Sequence, residues 1–528
     1  MQLIEKHFNE MLQSGFQEGK ANRINKGQSL KSKMSKHTNS IYVGKSNHTI
    51  SSKEISGDLV NFQGEEYYKI SNYDNMPPFF MTVVSFSDHW LFISSNGALS
   101  AGRKNPDSSL FPYYTVDKIH DAHENTGSKT IIIANVQGRK MIWEPFSDRY
   151  KGVYDISRNI YKNTAGNKVI FEEINDDLQL TFRYAWNTSD KYGFVRHSEI
   201  VNQNELEIQL EFVDGIQNVL PYGVDRVLQQ TYSNLADGYK KNELLEDTGI
   251  GLYMLSSIIV DKAEPSEALK TNVVWSLGLD HPTYLISNQQ LDKFRCGEGM
   301  VTEKDIRATR GAYFVSKVIS LMANESSKWS LIADLNKDAG EIASLRAQLN
   351  SNAIGLEAII QDIDHSSEQL NILLAKSDAF QQTSDELSIK RNLSNVLFNI
   401  MRGGIFENNY LIQKSDFVKF AENANKNIVT HRSDFFSSLN EEIDYKKLIS
   451  QAEQAGDSGI IRLCYEYLPL SFSRRHGDPS RPWNQFSINV RNEDGSKSLD
   501  YAGNWRDIFQ NWEALSLSFP EFIEGMIS

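Results

Sequence analysis

The chain has very little cysteine, which limits the chemistry it can support. Only two cysteines, Cys296 and Cys464, occur among its 528 residues. Two cysteines so far apart in sequence provide neither a disulfide framework nor a zinc site. We therefore expect no bound metal, no resident cofactor, and a reducing, cytoplasmic environment.

Long apolar runs and an excess of positive charge are also missing. No apolar segment approaches the roughly 20 residues that a membrane-spanning helix needs. The first residues, Met1 to His7, lack the charged-then-apolar pattern of a secretory signal. The formal net charge is −13, which is unsuited to neutralising nucleic-acid phosphates. Membranes and nucleic acids are therefore not expected partners.

Several catalytic motifs are absent as well. The sequence has no Gly-rich loop followed by Lys-Ser/Thr, no His-Glu-x-x-His and no Gly-x-Ser-x-Gly. The pairs Gly249/Gly251 and Gly297/Gly299 lack the third glycine of a dinucleotide-binding loop. Nucleotide, metalloprotease and serine-hydrolase chemistry therefore have no support in the sequence.

The sequence changes from a strand-like to a helix-like pattern along its length. Its size predicts two or three domains. We expect a short helix and polar linker over 1–39, and a large antiparallel β-sandwich over 40–300, with its clearest strands at 130–136, 178–184 and 206–212. A helical linker over 301–392 and the first part of a helical domain over 393–528 follow. The predicted helices are 303–325, 328–349, 353–377 and 380–400.

The first candidate site motif runs from Ser473 to Asn484. Gly477 and Pro479 predict a loop rather than a helix. The candidate substrate-binding residues here are Arg474, Arg475, His476, Asp478, Arg481, Trp483 and Asn484. Indole faces stack on sugar rings and guanidinium groups hold hydroxyls, as a carbohydrate site requires. Two readings stay open: a sugar site, or a structural Arg–Asp network with a hydrogen-bonded loop histidine.

The second motif runs from Tyr501 to Glu513. Gly503-Asn504 predicts a turn and an N-cap, with a helix from Trp505 to Leu515. Asn504, Trp505, Arg506 and Glu513 are the further candidate binding residues, although the simplest role of Glu513 is structural. Asp507 either caps the helix or acts as a general acid. The second role needs its pKa raised by burial against Trp505, Phe509 or Trp512.

A third segment lies near the N-terminal end of the predicted sandwich. Residues 88–103 suggest a strand and a glycine turn, and they lead into a loop with the paired Tyr113 and Tyr114. This loop suggests an arm that reaches toward a neighbouring domain. The tyrosines fit a core position equally well.

The segments Asn96–Lys118 and Arg474–Glu513, together with the order of sandwich, linker and helices, resemble the cellobiose phosphorylase and β-1,3-glucan phosphorylase group of the six-hairpin glycosidase superfamily. The resemblance implies the start of an (α/α)6 barrel, with Asp507 as general acid and the Arg474–Asp478 segment holding the non-reducing-end sugar. It also implies an oligosaccharide or glucan substrate, inorganic phosphate as co-substrate, inversion of configuration and a possible homodimer.

The chain departs from that pattern in two ways. Arg506 replaces a small polar residue before the acid, and the Arg-Arg-His-Gly-Asp run differs from the usual phosphorylase sequence. Twelve barrel helices need roughly 300 residues, and about 130 follow Asn395, so we expect an N-terminal portion of the enzyme. An inverting glycoside hydrolase and a non-catalytic carbohydrate-binding or interaction protein stay open as alternatives.

Overall fold

The structure is a computed structural model that describes residues 41–43, 46–48, 53–259 and 268–528, except Pro482, Asn484 and Glu493. The predicted N-terminal helix and linker, and the candidate residue Asn484, lie outside the described residues.

Most of the described chain before Ala339 is β-strand. The strands are β1 (Ile41–Val43), β2 (Ser46–His48), β3 (Ser56–Phe62), β4 (Glu65–Ser71), β5 (Phe80–Val83), β6 (His89–Ser94), β7 (Leu99–Arg103), β8 (Ser109–Phe111), β9 (Gly127–Val136), β10 (Arg139–Trp143), β11 (Ile156–Asn163), β12 (Val169–Asn175), β13 (Leu180–Ser189), β14 (Gly193–Asn202), β15 (Ile208–Val219), β16 (Lys240–Leu245), β17 (Ile250–Leu255), β18 (Thr271–Leu277), β19 (Thr283–Leu285), β20 (Asp305–Arg307), β21 (Gly311–Leu321) and β22 (Ser326–Lys337). Four short strands follow among the helices: β23 (Ile405–Phe406), β24 (Leu411–Gln413), β25 (Glu442–Asp444) and β26 (Leu470–Ser471).

Three antiparallel sheets form most of the β-region, beside the two-stranded pair of β1 and β2. The largest has eleven strands in the order β20-β16-β17-β18-β22-β14-β13-β12-β11-β4-β3, the second has β10-β9-β15-β21-β19, and the third has β5-β6-β7-β8. Apolar side chains of the two larger sheets meet in one core. Phe212 of the second sheet, for example, stacks on Trp329 of the first, with ring centroids 4.5 Å apart. The predicted large antiparallel β-sheets are therefore confirmed.

Short helices lie among the strands, and helices predominate from Ala339 onward. The helices are α1 (Val116–Asp121), α2 (Arg226–Thr231), α3 (Ser233–Tyr239), α4 (Leu291–Arg295), α5 (Ala339–Asn350), α6 (Leu356–Lys376), α7 (Glu386–Gly403), α8 (Lys414–His431), α9 (Ser433–Ser438), α10 (Tyr445–Ala455), α11 (Ser458–Glu466), α12 (Ile508–Ser518) and α13 (Ile523–Ile527). The predicted helices at 353–377 and 380–400 are confirmed by α6 and α7. The barrel architecture and the division into domains remain predictions.

The prediction of helices at 303–325 and 328–349 is wrong for most of those residues. They form β20, β21 and β22, and only α5, at the end of the second range, is helical. Residues 311–316 and 329–335 are buried in unbroken runs, because both faces of these central strands are covered. An unbroken apolar run contains spacings of three and four, so its pattern is ambiguous between helix and buried strand.

The helices from α6 onward share a second apolar core. It includes the buried face of α12, where Trp512 donates its indole N–H to the carbonyl of Gly403 at 2.9 Å. Across the described ranges, no helix is long and apolar enough to cross a membrane.

Candidate functional site

The loop after β26 lies between the sheets and the helices. Its first residues are held by the end of α7, because Ser473 Oγ donates to the carbonyl of Arg402 (3.0 Å) and the amide of Arg474 donates to that of Met401 (3.0 Å). Farther on, the amide of Ile488 donates to the carbonyl of Lys104 at 2.7 Å. The loop therefore joins the helical region to the hairpin of β6 and β7.

The β-region meets this loop with aromatic side chains. Phe486, Ile488 and Val490 pack against Trp90 and neighbouring aromatic residues of the β-region. Tyr113 is one of those residues, and its ring centroid lies 5.6 Å from that of Phe486. Tyr113 is a buried core residue that packs against the loop after β26, whereas an arm that reaches a neighbouring domain stays a prediction.

A small cavity with a volume of about 60 Å³ lies where these elements meet. The strand side contributes, among others, Ser85 and His89. The helix and loop side contributes Phe398, Met401, Arg402, Arg474, Arg475, His476, Gly477 and Asp478. The predicted Arg474–Asp478 segment therefore does line a cavity, and the structure places it beside groups from both regions.

Arg474 is the most deeply buried charged group of this cavity, with 4% of its surface exposed. Its Nη2 donates to the carbonyl of Ser85 (3.4 Å), its guanidinium lies 4.4 Å from the ring centroid of Phe472, and its Nε has no hydrogen-bond partner. Burial lowers the pKa of Arg474 to about 10, with the charge of Asp88 acting in the opposite direction.

His476 brings the two sequence motifs together. Its Nε2 lies 3.8 Å from Oδ2 of Asp507, and its Nδ1 lies 3.5 Å from Nδ2 of Asn504. Burial, reinforced by the charge of Arg402, lowers the pKa of His476 to about 4. The imidazole is therefore neutral near pH 7, so it offers one hydrogen-bond donor and one acceptor instead of a positive charge.

Asp507 lies at the start of α12, and the surroundings needed to raise its pKa are not present. Trp505 and Phe509 are 81% and 73% exposed. A hydrogen bond from Arg506 Nε (3.0 Å) lowers the pKa of Asp507 against the opposing effect of burial. The capping alternative is not realised either, because the Asp507 side chain makes no capping hydrogen bond to α12.

Asn504 occupies the predicted N-cap position, but its side chain also makes no capping hydrogen bond. The residues after it form a 3-10 turn, Trp505–Asp507, before α12 begins. The predicted helix therefore starts three residues later than expected, and the side chain of Asn504 is directed to His476 instead.

The remaining candidate residues differ in how deeply they are buried. Asp478 is buried and accepts hydrogen bonds from the amide (2.8 Å) and the hydroxyl of Ser480. Within the described residues no ion pair joins Asp478 to an arginine, so the alternative of an Arg–Asp network is not observed. Arg475, Trp483 and Glu513 are exposed and Arg481 is half-buried.

Two titratable residues of the cavity, His89 and Arg402, were not predicted as site residues. His89 lies in a fully buried strand, where a histidine has no local signal that separates a site from a core position. Arg402 had a weak signal, since it immediately precedes Gly403-Gly404 at the end of α7, and Gly404 has a φ of 81° that ends the helix. Their common place in the cavity beside the loop after β26 reveals both.

A metal centre has no candidate among the described residues, because no cluster of three or more His, Cys, Asp or Glu side chains is arranged to hold an ion. The charged and titratable residues that line the cavity are instead arginines, histidines and one aspartate, Asp478. Such groups bind hydroxyls and transfer protons, as carbohydrate chemistry requires.

Comparison with known proteins links part of the chain to a glycoside hydrolase family. Residues 406–469 match the glycoside hydrolase family 149 insertion domain 1, which is about an eighth of the chain. No curated protein matches the chain. The family match supports a carbohydrate-active enzyme, as predicted, whereas the specific cellobiose phosphorylase group remains a prediction.

Solved structures give weak similarities. A bacterial glucoamylase complexed with acarbose is 10% identical with a TM-score of 0.31, over 78% of this chain and 59% of that chain. A human-microbiome protein provisionally assigned as a kojibiose phosphorylase is 6% identical with a TM-score of 0.25, over 56% and 31%. Heparinase III is 12% identical with a TM-score of 0.22, over 50% and 36%. The chain spans less than two thirds of each, and we argue the site from its own geometry.

Proposed function

We propose that the protein is a carbohydrate-active enzyme that acts on β-linked glucosides, and that its substrate binds in the cavity between the sheets and the helices. The observation that carries the proposal is the meeting of two distant motifs: His476 of the first lies within 4 Å of Asp507 of the second. The family match at 406–469, in the same helical region, supports the same class.

Binding follows from the donors that surround the cavity. Arg474 and Arg475 offer planar guanidinium groups that bind pairs of hydroxyl oxygens. Asp478 is held in place by Ser480, so one of its carboxylate oxygens is already engaged and the other can accept from a sugar hydroxyl. The exposed ring of Trp505 provides a flat surface for a further sugar.

For the chemical step we propose that Asp507 protonates the glycosidic oxygen. Inorganic phosphate then attacks the anomeric carbon from the opposite face, the bond to the leaving sugar breaks, and the configuration inverts. Asp507 must be protonated before the step, so the substrate has to displace Arg506 from it and exclude water, since both changes raise a carboxyl pKa. In the hydrolytic alternative, a second carboxylate about 6.5–9.5 Å from the acid activates water.

A second candidate function is non-catalytic carbohydrate binding, and the Arg506–Asp507 pair favours it. A carboxylate paired with a guanidinium is ionised and suits the binding of hydroxyls better than the donation of a proton. This protein would use the same cavity and the same donors, and it would cleave nothing.

Asp507→Asn separates the two functions. An enzyme should lose at least about 100-fold in turnover of a β-linked gluco-oligosaccharide while binding it with similar affinity, because general acid catalysis contributes roughly that much. If the protein only binds carbohydrate, the wild type itself shows no turnover. Glu441→Gln is the matched control, since its side chain is 87% exposed. Full activity of Asp507→Asn would contradict the assignment of the acid.

A further inference from the structure

The imidazole of His476 bridges two residues of the turn that carries Asp507. Its Nδ1 lies 3.5 Å from Nδ2 of Asn504, and its Nε2 lies 3.8 Å from Oδ2 of Asp507. The amide of Asp507 donates to the carbonyl of Asn504 at 3.0 Å, so both residues belong to one tight turn. The ring therefore faces this turn with both of its nitrogens.

Backbone contacts close to the ring fix its position. Ser473 Oγ accepts from the amide of Ala502 (3.1 Å) and donates to the carbonyl of Arg402 (3.0 Å). These bonds tie the two motifs side by side just before His476 and just before the turn. The side chain of His476 is only 16% exposed, so its contacts with the turn are largely shielded from water.

The contact with Asn504 decides which ring nitrogen carries the proton. The side-chain nitrogen of Asn504 is only a donor, so Nδ1 of His476 has to accept from it. A neutral imidazole with an accepting Nδ1 carries its hydrogen on Nε2. That hydrogen therefore lies on the nitrogen that faces the carboxylate of Asp507.

The ring donates this hydrogen as a neutral group. Burial is the largest cause that lowers the pKa of His476 to about 4. Among the described residues, the charged groups that act on the ring are two arginines, which reinforce this effect, and two aspartates, which oppose it: Arg402, Arg481, Asp507 and Asp478. An imidazolium would keep the carboxyl ionised, whereas a neutral N–H is a weaker donor and lets the carboxyl take up a proton.

The two oxygens of Asp507 have different neighbours once a substrate enters. Arg506 binds both in the free protein, through Nε to Oδ1 at 3.0 Å and through Nη2 to Oδ2 at 3.3 Å. Its side chain is 70% exposed, so a substrate can displace it, whereas the more deeply buried His476 stays beside Oδ2. The charge of Arg402 also acts on Asp507, and Asp507 in turn acts on Tyr501. After the displacement, Oδ1 is the oxygen left to face the sugar.

We propose that His476 is a positioning residue for Asp507, whose Nε2–H holds Oδ2 and leaves the acid proton on Oδ1. The gap of 3.8 Å closes to a hydrogen bond in the substrate complex, where contacts of catalytic acids and bases tighten. In the step, the proton passes from Oδ1 to the glycosidic oxygen, which also takes the electron pair of the bond to the anomeric carbon. The imidazole keeps its own proton and donates to the carboxylate that forms. This catalytic consequence rests on the proposed function, whereas the placement of the proton on Nε2 does not.

Nitrogen-15 NMR of the full chain tests the placement without any turnover. The ring signals of His476 are identified by their loss in His476→Gln. In the wild type we expect a protonated Nε2 and an unprotonated Nδ1 between about pH 6 and 8. A proton on Nδ1 instead, or a doubly protonated ring, would overturn the proposal whatever the protein does with sugars.

The carboxyl carbon signal of Asp507, identified by its loss in Asp507→Asn, gives a second measurement. In His476→Leu its titration midpoint should move to higher pH by about 0.5 to 1 pH unit, because a donor that favours the charged form is gone. His476→Gln, whose amide nitrogen takes the place of Nε2, should restore the midpoint. His365→Leu, the same change at an exposed position of α6, should leave it where it is. An unmoved midpoint in His476→Leu would show a side chain that only pins the loop, and the proposal would fail.

Turnover of a β-linked gluco-oligosaccharide with inorganic phosphate connects the placement to the reaction. His476→Leu should lose about 10- to 100-fold in kcat with a smaller change in KM, since a misplaced acid costs about that much. The alkaline limb of its pH profile should move to higher pH, and His476→Gln should recover most of the loss. Equal kcat in His476→Leu and the wild type would contradict the positioning role.

The failure of this inference is distinguishable from the failure of the proposed function. If the wild type has no turnover, the proposed function fails, and the two NMR measurements still decide whether His476 holds Asp507 in the stated way. If His476→Leu does not fold, the wild-type ring signals and the midpoint of His476→Gln decide. A midpoint in His476→Gln that is displaced to higher pH would then count against the proposal.

Discussion

The buried carboxylate of Asp214 is predicted to be a main source of stability for the sandwich that carries the site. It is fully inaccessible and accepts from five groups: Arg196 Nη1 (2.7 Å) and Nη2 (2.9 Å), Trp329 Nε1 (2.6 Å), Thr130 Oγ1 (2.6 Å) and Ser198 Oγ (3.0 Å). Because β14, β15 and β22 each contribute a member, this cluster connects the two larger sheets.

Asp214→Asn keeps the shape of the side chain and removes its charge. It leaves the guanidinium of Arg196, also fully buried, without a counter-ion, and it places an amide N–H₂ among donors. Removing one partner of a buried ion pair costs about 3–5 kcal/mol. The summed free energies of five separate hydrogen bonds would exceed the whole stability of many domains. We therefore take the value for a buried ion pair as the expected loss.

Equilibrium unfolding in urea measures this loss. Glu207→Gln, an exposed residue with the same charge change just before β15, should stay within about 0.5 kcal/mol of the wild type. The double change Arg196→Met with Asp214→Leu should recover part of the loss, because no buried charge remains. A cost below about 1 kcal/mol for Asp214→Asn would refute the reasoning.

Three further predictions concern the site and its supports. Burial, helped by Arg402, lowers the pKa of His476 to about 4, so its ring proton resonances should not titrate between about pH 5.5 and 8; a midpoint near 6.5, the ordinary value, would contradict this. For Glu124, burial opposes the ion pair with Lys129, but the pair prevails and lowers the pKa to about 2. Its contribution to stability is present above the unfolded pKa near 4.5 and is lost as the pH falls toward 2; Glu124→Gln should therefore flatten the pH dependence of Tm in that window, and an unchanged slope would count against it. Gly403→Ala places a Cβ 2.9 Å from the carbonyl of Asn511 and should cost about 1–3 kcal/mol in unfolding free energy, a loss that an unaltered Tm would disprove.

The local sequence pattern was sufficient to predict much of the fold. The segment 206–212 alternates apolar and polar residues, and β15 begins at Ile208 with the same alternation in burial. The helices α6 and α7 were predicted to start at residues 353 and 380, which is three and six residues before they begin. β21 and β22 were missed because strands buried on both faces lose the period of two that identifies a strand.

The site was predictable only in part, for a related reason. Arg474, His476 and Asp507 were identified because each lies in a segment dense in charged and aromatic residues. The contact of His476 with Asp507 spans 31 positions, and the place of His89 beside Arg474 depends on contacts between residues nearly 400 positions apart. No local pattern encodes such contacts. The pairing of Asp507 with Arg506 depends on which rotamers the fold permits, and it lowers the pKa where a general acid needs it raised.

The most direct test of the account is a crystal structure of the protein with a bound β-linked gluco-oligosaccharide, such as cellobiose or a short β-1,3-glucan. The account predicts a sugar in the cavity between the sheets and the helices, with hydroxyls on Arg474 and Asp478 and a glycosidic oxygen within hydrogen-bond distance of Asp507. A sugar bound elsewhere, with this cavity occupied by water alone, would contradict it.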